Sequence, residues 1–128
     1  MKIEHIAIWV TDLELMRDFY KTYFNAVSGN KYVNLSKNFT SYFLSFKEGA
    51  RLELMHNPSI NKSSNPDIID TGFAHMAISV GTKQKVDSLT NELRANGYSI
   101  TGEPRTTGDG YYESVILDPE GNQIEITI

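Results

Sequence analysis

The chain contains no cysteine, which excludes disulfide bridges, thiolate metal ligands and cysteine nucleophiles. Any bound metal would therefore need nitrogen and oxygen ligands. Lys and Arg total 12 against 16 Asp and Glu, so the net charge is −4 and no basic stripe is available for nucleic acid. Apolar runs are only strand-length, and the first residues lack the pattern of a signal peptide. From these absences we expect a cytoplasmic protein that binds neither nucleic acid nor a membrane.

The residues that are present predict an alternation of strands and helices within one domain, 1–128. Thr11 with Glu14 has the spacing of a capping box, and Asn25 is suited to end the helix that follows. A second helix is predicted over 82–96, with Val86, Leu89 and Leu93 on one face and Gly97 as its stop. Residue type and turn chemistry predict strands at 2–10, 30–35, 39–47, 50–56, 72–80, 98–105, 111–117 and 122–128.

The order strand–helix–three strands occurs twice. The predicted repeat 1 (1–57) and repeat 2 (72–128) are joined by a connector (58–71) rich in Asn, Ser and Pro. IEHIAIWV aligns with FAHMAISV on a histidine, and RLELMH aligns with NQIEITI on a glutamate. His5 and His75 are 70 residues apart and Glu53 and Glu125 are 72 apart, which indicates an internal duplication.

Strand alternation predicts that these four ionisable residues share the face turned away from the helices. Apolar residues take the opposite positions, where they can pack beneath the helices: Ile6, Ile8, Val10, Leu52, Leu54, Ile124, Ile126 and Ile128. His56 also falls on that opposite face, so we do not count it among the ligands. Arg51 and Met55 share the face of Glu53 and either line a cavity there or, for Arg51, lie at the surface.

The four residues together predict a metal site, although each alone would be an ordinary strand residue. Two imidazoles and two carboxylates suit a divalent transition metal. Four such groups gathered without a cation would be costly. We therefore expect one divalent ion, with Ni²⁺, Zn²⁺ or Co²⁺ as first candidates and Mn²⁺ or Fe²⁺ as the next, bound by His5, Glu53, His75 and Glu125.

The segments IEHIAIWVTDLELMRDFYKTYF, RLELMHN, GFAHMAISV and DPEGNQIEI resemble the vicinal oxygen chelate superfamily, and within it glyoxalase I (lactoylglutathione lyase). The resemblance covers nearly the whole chain. It implies an α+β fold in which two tandem βαβββ modules form a curved mixed sheet around a metal-binding cavity (the glyoxalase/bleomycin resistance/dioxygenase fold). It also implies that the four residues above are the ligands and that Asn57 contacts the glutathione moiety.

The activity implied by the resemblance is conversion of a hemithioacetal of methylglyoxal to a thioester through an enediolate, which is methylglyoxal detoxification. The metal acts there as a Lewis acid on two neighbouring oxygens of this small-molecule substrate. A glutamate moves the proton between adjacent carbons, with Glu125 as the first candidate base and Glu53 as the second. Residues expected to line the substrate site are Trp9, Arg51, Met55 and Asn57.

The glutathione contacts of the family are mostly replaced in this chain. Trp9 stands where the family usually has an arginine, Thr71 or its neighbours replace a second one, and Arg105 is the only basic residue near the loop before the last strands. We therefore expect weak or absent activity with the glutathione adduct. Since each half supplies one His and one Glu, we also expect a homodimer with sites at the subunit interface, the alternative being closure within one chain.

Two other kinds of function stay open at the level of the sequence. The first is another enzyme of the superfamily: a dioxygenase, an epimerase or a thiol transferase, none of which calls for a glutamate at position 53. The second is a non-catalytic binding or resistance protein, for which Trp9, Phe46, Tyr111 and Tyr112 would line an aromatic groove unless they simply pack in the core or at the surface.

Overall fold

The computed structural model describes residues 1–60 and 72–128 of the chain. The chain divides into two compact units, Met1–Ile69 and Asp70–Ile128, each of which is considered by itself below. Most of the predicted connector, residues 61–71 with Thr71 among them, lies outside the described residues. The organisation as a single domain with repeats at 1–57 and 72–128 stays a prediction.

The first unit is a mixed sheet with one helix. The sheet has the order β1-β5-β4-β2, with β3 pairing to β4. The strand β5 runs parallel to β1 and antiparallel to β4. Its elements are β1 (His5–Trp9), α1 (Leu13–Phe24), β2 (Val27–Ser28), β3 (Tyr32–Asn34), β4 (Phe39–Ser45) and β5 (Arg51–His56).

The first helix begins one residue later than the capping box predicts. Asp12, not Thr11, is the N-cap, and its carboxylate accepts a hydrogen bond from the Leu15 backbone N–H. The prediction that Thr11 is the N-cap was wrong. Asp is at least as good an N-cap residue as Thr, and Asp12 directly precedes Leu13, the first helical residue. The predicted end is confirmed, since Asn25 adopts the left-handed conformation with φ 53°.

The second unit repeats the architecture with four strands. They have the order β6-β9-β8-β7, with β9 parallel to β6 and antiparallel to β8. The α+β class and the two βαβββ modules are thus confirmed, and each module forms its own hydrogen-bonded sheet. The elements are β6 (Met76–Ser79), α2 (Lys83–Ala95), β7 (Ile100–Thr106), β8 (Tyr112–Leu117) and β9 (Gln123–Thr127).

Two further differences from the prediction concern β2 and α2. The pair Val27–Ser28 adds a short strand, β2, to the first module, because two residues are too few to produce a recognisable strand pattern. In α2 the buried face consists of Val86, Thr90 and Leu93, and Leu89 is only half-buried. The spacing of apolar residues predicts that Leu89 is buried, but Thr90 is buried in its place.

A buried pair of hydroxyl groups joins α2 to its sheet and explains why a polar residue is tolerated there. The Thr90 hydroxyl donates to the Val86 carbonyl oxygen at 2.6 Å and lies 2.7 Å from the Ser114 hydroxyl on β8. Both side chains are fully buried. This pair fixes α2 against β8, the neighbour of the strand that carries Glu125.

The apolar positions of the strands behave as strand alternation predicts. Leu52 and Leu54 on β5 and Ile124 and Ile126 on β9 are buried. Ile6 and Ile8 on β1 are only half-buried, and Ile128 is 43% exposed. Neither α1 nor α2, the helices of the described residues, has the length and apolar character needed to cross a membrane.

We predict that Thr90→Val lowers the free energy of unfolding by about 1–3 kcal/mol, because it leaves the buried Ser114 hydroxyl without its partner. The double variant Thr90→Val/Ser114→Ala should lose less than the sum of the single variants, since both polar groups are then removed. Both changes in the free energy of unfolding are measured by urea titration, with circular dichroism as the signal.

The control for this experiment is Ser88→Ala on the same helix. Its exposed hydroxyl makes the same kind of backbone contact, to the Lys85 carbonyl oxygen at 3.3 Å. The expected change is within about 0.5 kcal/mol. Equal effects of Thr90→Val and Ser88→Ala would show that the buried hydroxyl pair contributes nothing of its own.

Candidate functional site

Each unit places one histidine and one glutamate side by side at equivalent positions. In the first unit, parallel pairing sets Glu53 of β5 beside Ala7 of β1, two residues after His5. In the second unit, Glu125 of β9 lies beside Ala77 of β6, two residues after His75. The duplicated pattern seen in the sequence is therefore also a duplicated arrangement on two sheets.

The distances within each pair suit joint binding of a cation. The Nε2 atom of His5 lies 3.9 Å from Glu53 Oε2, and that of His75 lies 3.2 Å from Glu125 Oε2. Two atoms can share one transition metal only if they lie within about 4.2 Å, twice an ordinary metal–ligand bond. Both imidazole side chains are 41% exposed, so an ion can reach them.

The structure brings the four predicted ligands together as two pairs. His75 immediately precedes β6 and is not part of the strand, a small departure from the predicted strand 72–80. Over residues 1–60 and 72–128, no group of three or more His, Asp or Glu side chains is arranged to hold a metal ion. The set of four ligands stays a prediction.

His5 is held by a cluster that sequence patterns did not reveal. Glu4 Oε2 lies 2.6 Å from the Nδ1 atom of His5, and Glu4 Oε1 accepts a hydrogen bond from Arg51 Nε at 2.8 Å. These two hydrogen bonds, first that with His5 and then that with Arg51, lower the pKa of the Glu4 carboxyl below its ordinary value. The imidazole of His5 also meets the Phe43 ring edge to face at 5.3 Å.

The second unit has a different ion pair on the face that carries Glu125. Glu113 shares that face with Val115, the residue directly across from Glu125. Its carboxylate is buried and lies 3.3 Å from Arg105 Nη2. Gly102 makes room for this arginine, since a Cβ atom there would lie 2.8 Å from Arg105 Nη1. Only the strand register, which is invisible in a linear pattern, identifies this pair.

Two of the predicted substrate-binding residues, Trp9 and Met55, lie directly across from each other on the face of His5 and Glu53. The Trp9 side chain is about half exposed and meets Phe39 edge to face at 6.1 Å. Phe39 in turn lies 6.1 Å from the ring of Tyr32. This face of the first unit therefore continues from the His/Glu pair into an exposed aromatic surface.

Asn57 and Arg51, the other two predicted substrate-binding residues, already have partners within the first unit. The Asn57 amide donates to the Lys37 carbonyl oxygen at 3.2 Å, and its oxygen accepts from the Ser59 backbone N–H at 2.9 Å. Arg51 contacts Glu4, as described above. Their contact with a substrate stays a prediction.

His56 and Tyr112 lie away from the candidate ligands. The Nδ1 atom of His56 is 2.9 Å from the Val10 carbonyl oxygen, in accordance with its exclusion from the ligand set. The Tyr112 hydroxyl donates to Asp87 on α2 at 2.7 Å, which raises the pKa of Tyr112. Tyr112 thus belongs to the helix side of its sheet and does not line an aromatic groove on the opposite side.

Comparisons with known proteins agree with this geometry at the level of the family. The model of the Glyoxalase/Bleomycin resistance protein/Dioxygenase superfamily matches residues 2–126. The protein YqjT of Bacillus subtilis (strain 168) is 26% identical over 97% of this chain and 96% of its own length.

Solved structures with the same fold include proteins named as glyoxalases. Glyoxalase I of Zea mays is 26% identical with a TM-score of 0.80 over 98% of this chain, which spans only 44% of that enzyme. The trypanothione-dependent glyoxalase I of Leishmania major is 24% identical with a TM-score of 0.79, over 99% of this chain and 86% of that one. A glyoxalase family protein of Enterococcus faecalis is 19% identical with a TM-score of 0.80, over 99% and 97%.

Proposed function

The chain belongs to the Glyoxalase/Bleomycin resistance protein/Dioxygenase superfamily, and we propose that it is a metal-dependent isomerase of the glyoxalase I type. The observation that carries the proposal is the repeated pair of one imidazole and one carboxylate, His5 with Glu53 and His75 with Glu125, at 3.9 and 3.2 Å. Family membership by itself does not distinguish among the activities of the superfamily. The distinction therefore rests on which side chains are available to bind the metal.

The proposed metal site takes both pairs. Two imidazole nitrogens and two carboxylate oxygens form a set that suits Ni²⁺, Zn²⁺ or Co²⁺. The side chains of Glu53 and Glu125 are only 14% and 22% exposed, so their charges are shielded from water and would be compensated by a cation.

The second carboxylate distinguishes the isomerase from a dioxygenase. Non-haem iron dioxygenases use two histidines and one carboxylate and leave positions open for oxygen. Glu53 lies beside a histidine just as Glu125 does, and so supplies a second carboxylate that a dioxygenase would not need. With two carboxylates, one is available to move a proton while the other still binds the ion.

The proposed reaction is the conversion of a hemithioacetal of methylglyoxal to a thioester. When bound, the divalent ion would act as a Lewis acid toward the two neighbouring oxygens of the substrate. Glu125 takes the proton from one carbon and returns it to the next, with Glu53 as the alternative base. The aromatic surface around Trp9 covers the apolar part of the substrate and keeps water away from it.

The arginines nearest the proposed site already pair with glutamates, which argues against glutathione as the thiol. Binding of its carboxylates requires cations, and Arg does this best through paired hydrogen bonds. Arg51 is already bonded to Glu4 and Arg105 to Glu113. Trp9 supplies no charge, and the net charge of −4 adds no attraction for an anionic thiol. We propose a different thiol or another small chelating substrate.

We also propose a homodimer in which His5 and Glu53 of one subunit meet His75 and Glu125 of the other. Each unit holds one pair, so a full set requires one first unit and one second unit. Closure of the site within one chain is the alternative.

We predict one divalent ion per chain for protein purified without chelator, measured by elemental analysis. His75→Ala and Glu125→Ala should each lose most of this metal, because each removes a ligand. His56→Ala is the matched control, since this histidine contacts the Val10 carbonyl oxygen instead. If the natural protein holds no more metal than the two ligand variants, the proposed site is wrong.

Subunit exchange tests the shared site. A mixture of His5→Ala with Glu125→Ala protein should regain metal binding and activity, because each heterodimer contains one site with all four ligands. The matched control is a mixture of His5→Ala with Glu53→Ala protein, in which every site lacks one ligand and nothing is regained. Equal failure of both mixtures after verified exchange would contradict a shared site.

A thiol survey tests the substrate class. We predict that metal-loaded protein forms thioester from methylglyoxal slowly with glutathione and faster with another low-molecular-weight thiol. Trp9→Arg should raise kcat/KM for the glutathione adduct, whereas the control Trp9→Phe should not. A kcat/KM with glutathione in the range of about 10⁴–10⁸ M⁻¹s⁻¹, typical of natural substrates, would refute this assignment.

A further inference from the structure

We propose that Glu4 and Arg51 form a positioning pair that fixes the tautomer of His5 and aims its Nε2 atom at the metal. The inference rests on the proposed metal site for its purpose, and on contacts within the first unit for its geometry. Neither residue is placed among the ligands.

The contact between Glu4 and His5 selects one tautomer. A neutral imidazole carries one N–H, and a carboxylate can only accept a hydrogen bond from it. Glu4 Oε2 lies 2.6 Å from Nδ1 of His5, so the proton belongs on Nδ1. The lone pair of Nε2 is then free for a metal on the side where Glu53 lies, 3.9 Å away. Histidines that bind metals are commonly oriented by a carboxylate in this way.

Arg51 binds the Glu4 carboxylate, which in turn contacts His5. It lies directly across from His5 in the parallel pairing of β1 and β5. Its Nε and Nη2 atoms both contact Glu4 Oε1, at 2.8 and 2.5 Å, which leaves Oε2 for the imidazole. A guanidinium is suited to such a double contact because its N–H groups form a rigid fork.

Phe43 supports the same arrangement from β4. The guanidinium of Arg51 lies 4.2 Å from the centre of the Phe43 ring, and the His5 ring meets it edge to face at 5.3 Å. Phe43 is directly across from Glu53. One aromatic ring therefore contacts both the imidazole and the arginine on the face where the metal would bind.

The second unit shows that this pair is not a by-product of the strand pairing. The residues corresponding to Glu4 and Arg51 are Ala74, which precedes His75, and Gln123, two residues before Glu125. Neither can supply a carboxylate or a guanidinium. The Glu4–Arg51 pair therefore has no counterpart at the equivalent positions beside His75. The two imidazoles are thus held differently.

The first test uses protein without metal. In ¹⁵N-labelled protein, well above the ordinary pKa of histidine, the ring nitrogens of His5 should report the Nδ1–H tautomer. Glu4→Ala should convert this signal to that of a mixture of tautomers. The chain has only three histidines, so His5→Gln identifies the signals by their loss. A tautomer that is the same with and without Glu4 would overturn the proposal.

The second test is metal affinity, measured by competition with a chromophoric chelator. Glu4→Ala should weaken binding by about 10–100-fold, the effect usual for loss of a partner of a metal-binding histidine. Glu4→Gln keeps an acceptor oxygen and should recover much of the loss. Arg51→Met should fall between the natural protein and Glu4→Ala, because the carboxylate remains but loses its support.

The matched control is Glu103→Ala, which breaks another exposed Arg–Glu contact, that with Arg94 in the second unit. It should change neither readout. Unchanged affinity in Glu4→Ala, or an equal loss in Glu103→Ala, would overturn the positioning role even if the tautomer changed. If the natural protein bound no metal, the proposed function would fail, and the positioning of Nε2 toward a metal with it, whereas the NMR result would still decide whether Glu4 sets the tautomer.

Discussion

In both units the first strand runs parallel to, and directly beside, the last strand of its module. The arrangement of every candidate ligand depends on this register. A shift of one residue would turn the glutamate to the helix side of its sheet, because side chains alternate along a strand. The register is fixed by the opposite face, where residues such as Leu54 and Ile126 are buried. Burial of the apolar face thus determines to which side of the sheet the polar residues point.

This dependence explains how much of the fold and the candidate site could be predicted from the sequence. Alternation of apolar residues identifies the buried face of β5 and β9, so it also assigns Glu53 and Glu125 to the other face. The duplication then relates each glutamate to a histidine. What a linear pattern predicts well is therefore which side of a strand a residue occupies, together with elements long enough to show a period.

Contacts between side chains of different strands could not be predicted in the same way. The contact of Arg51 with Glu4 and that of Arg105 with Glu113 depend on registers that only the folded sheets define. The start of α1 was also mispredicted, because Thr11 and Asp12 are adjacent and both are good N-cap residues. Thr90 was missed because its hydroxyl group finds a buried partner, whereas an apolar pattern counts it as a surface residue.

The same contacts make the two halves chemically unequal, although their ligands correspond. The first unit places Glu4 and the Phe43 ring against its histidine, with Arg51 bonded to Glu4. The second unit instead pairs the exposed Arg105 with the buried Glu113 on the face of its glutamate. In the proposed site, every metal ion receives one pair from a first unit and one from a second unit. This holds whether the site closes within a chain or between two chains. The two imidazoles of such a site would have different neighbours, because a carboxylate contacts His5 whereas an alanine precedes His75.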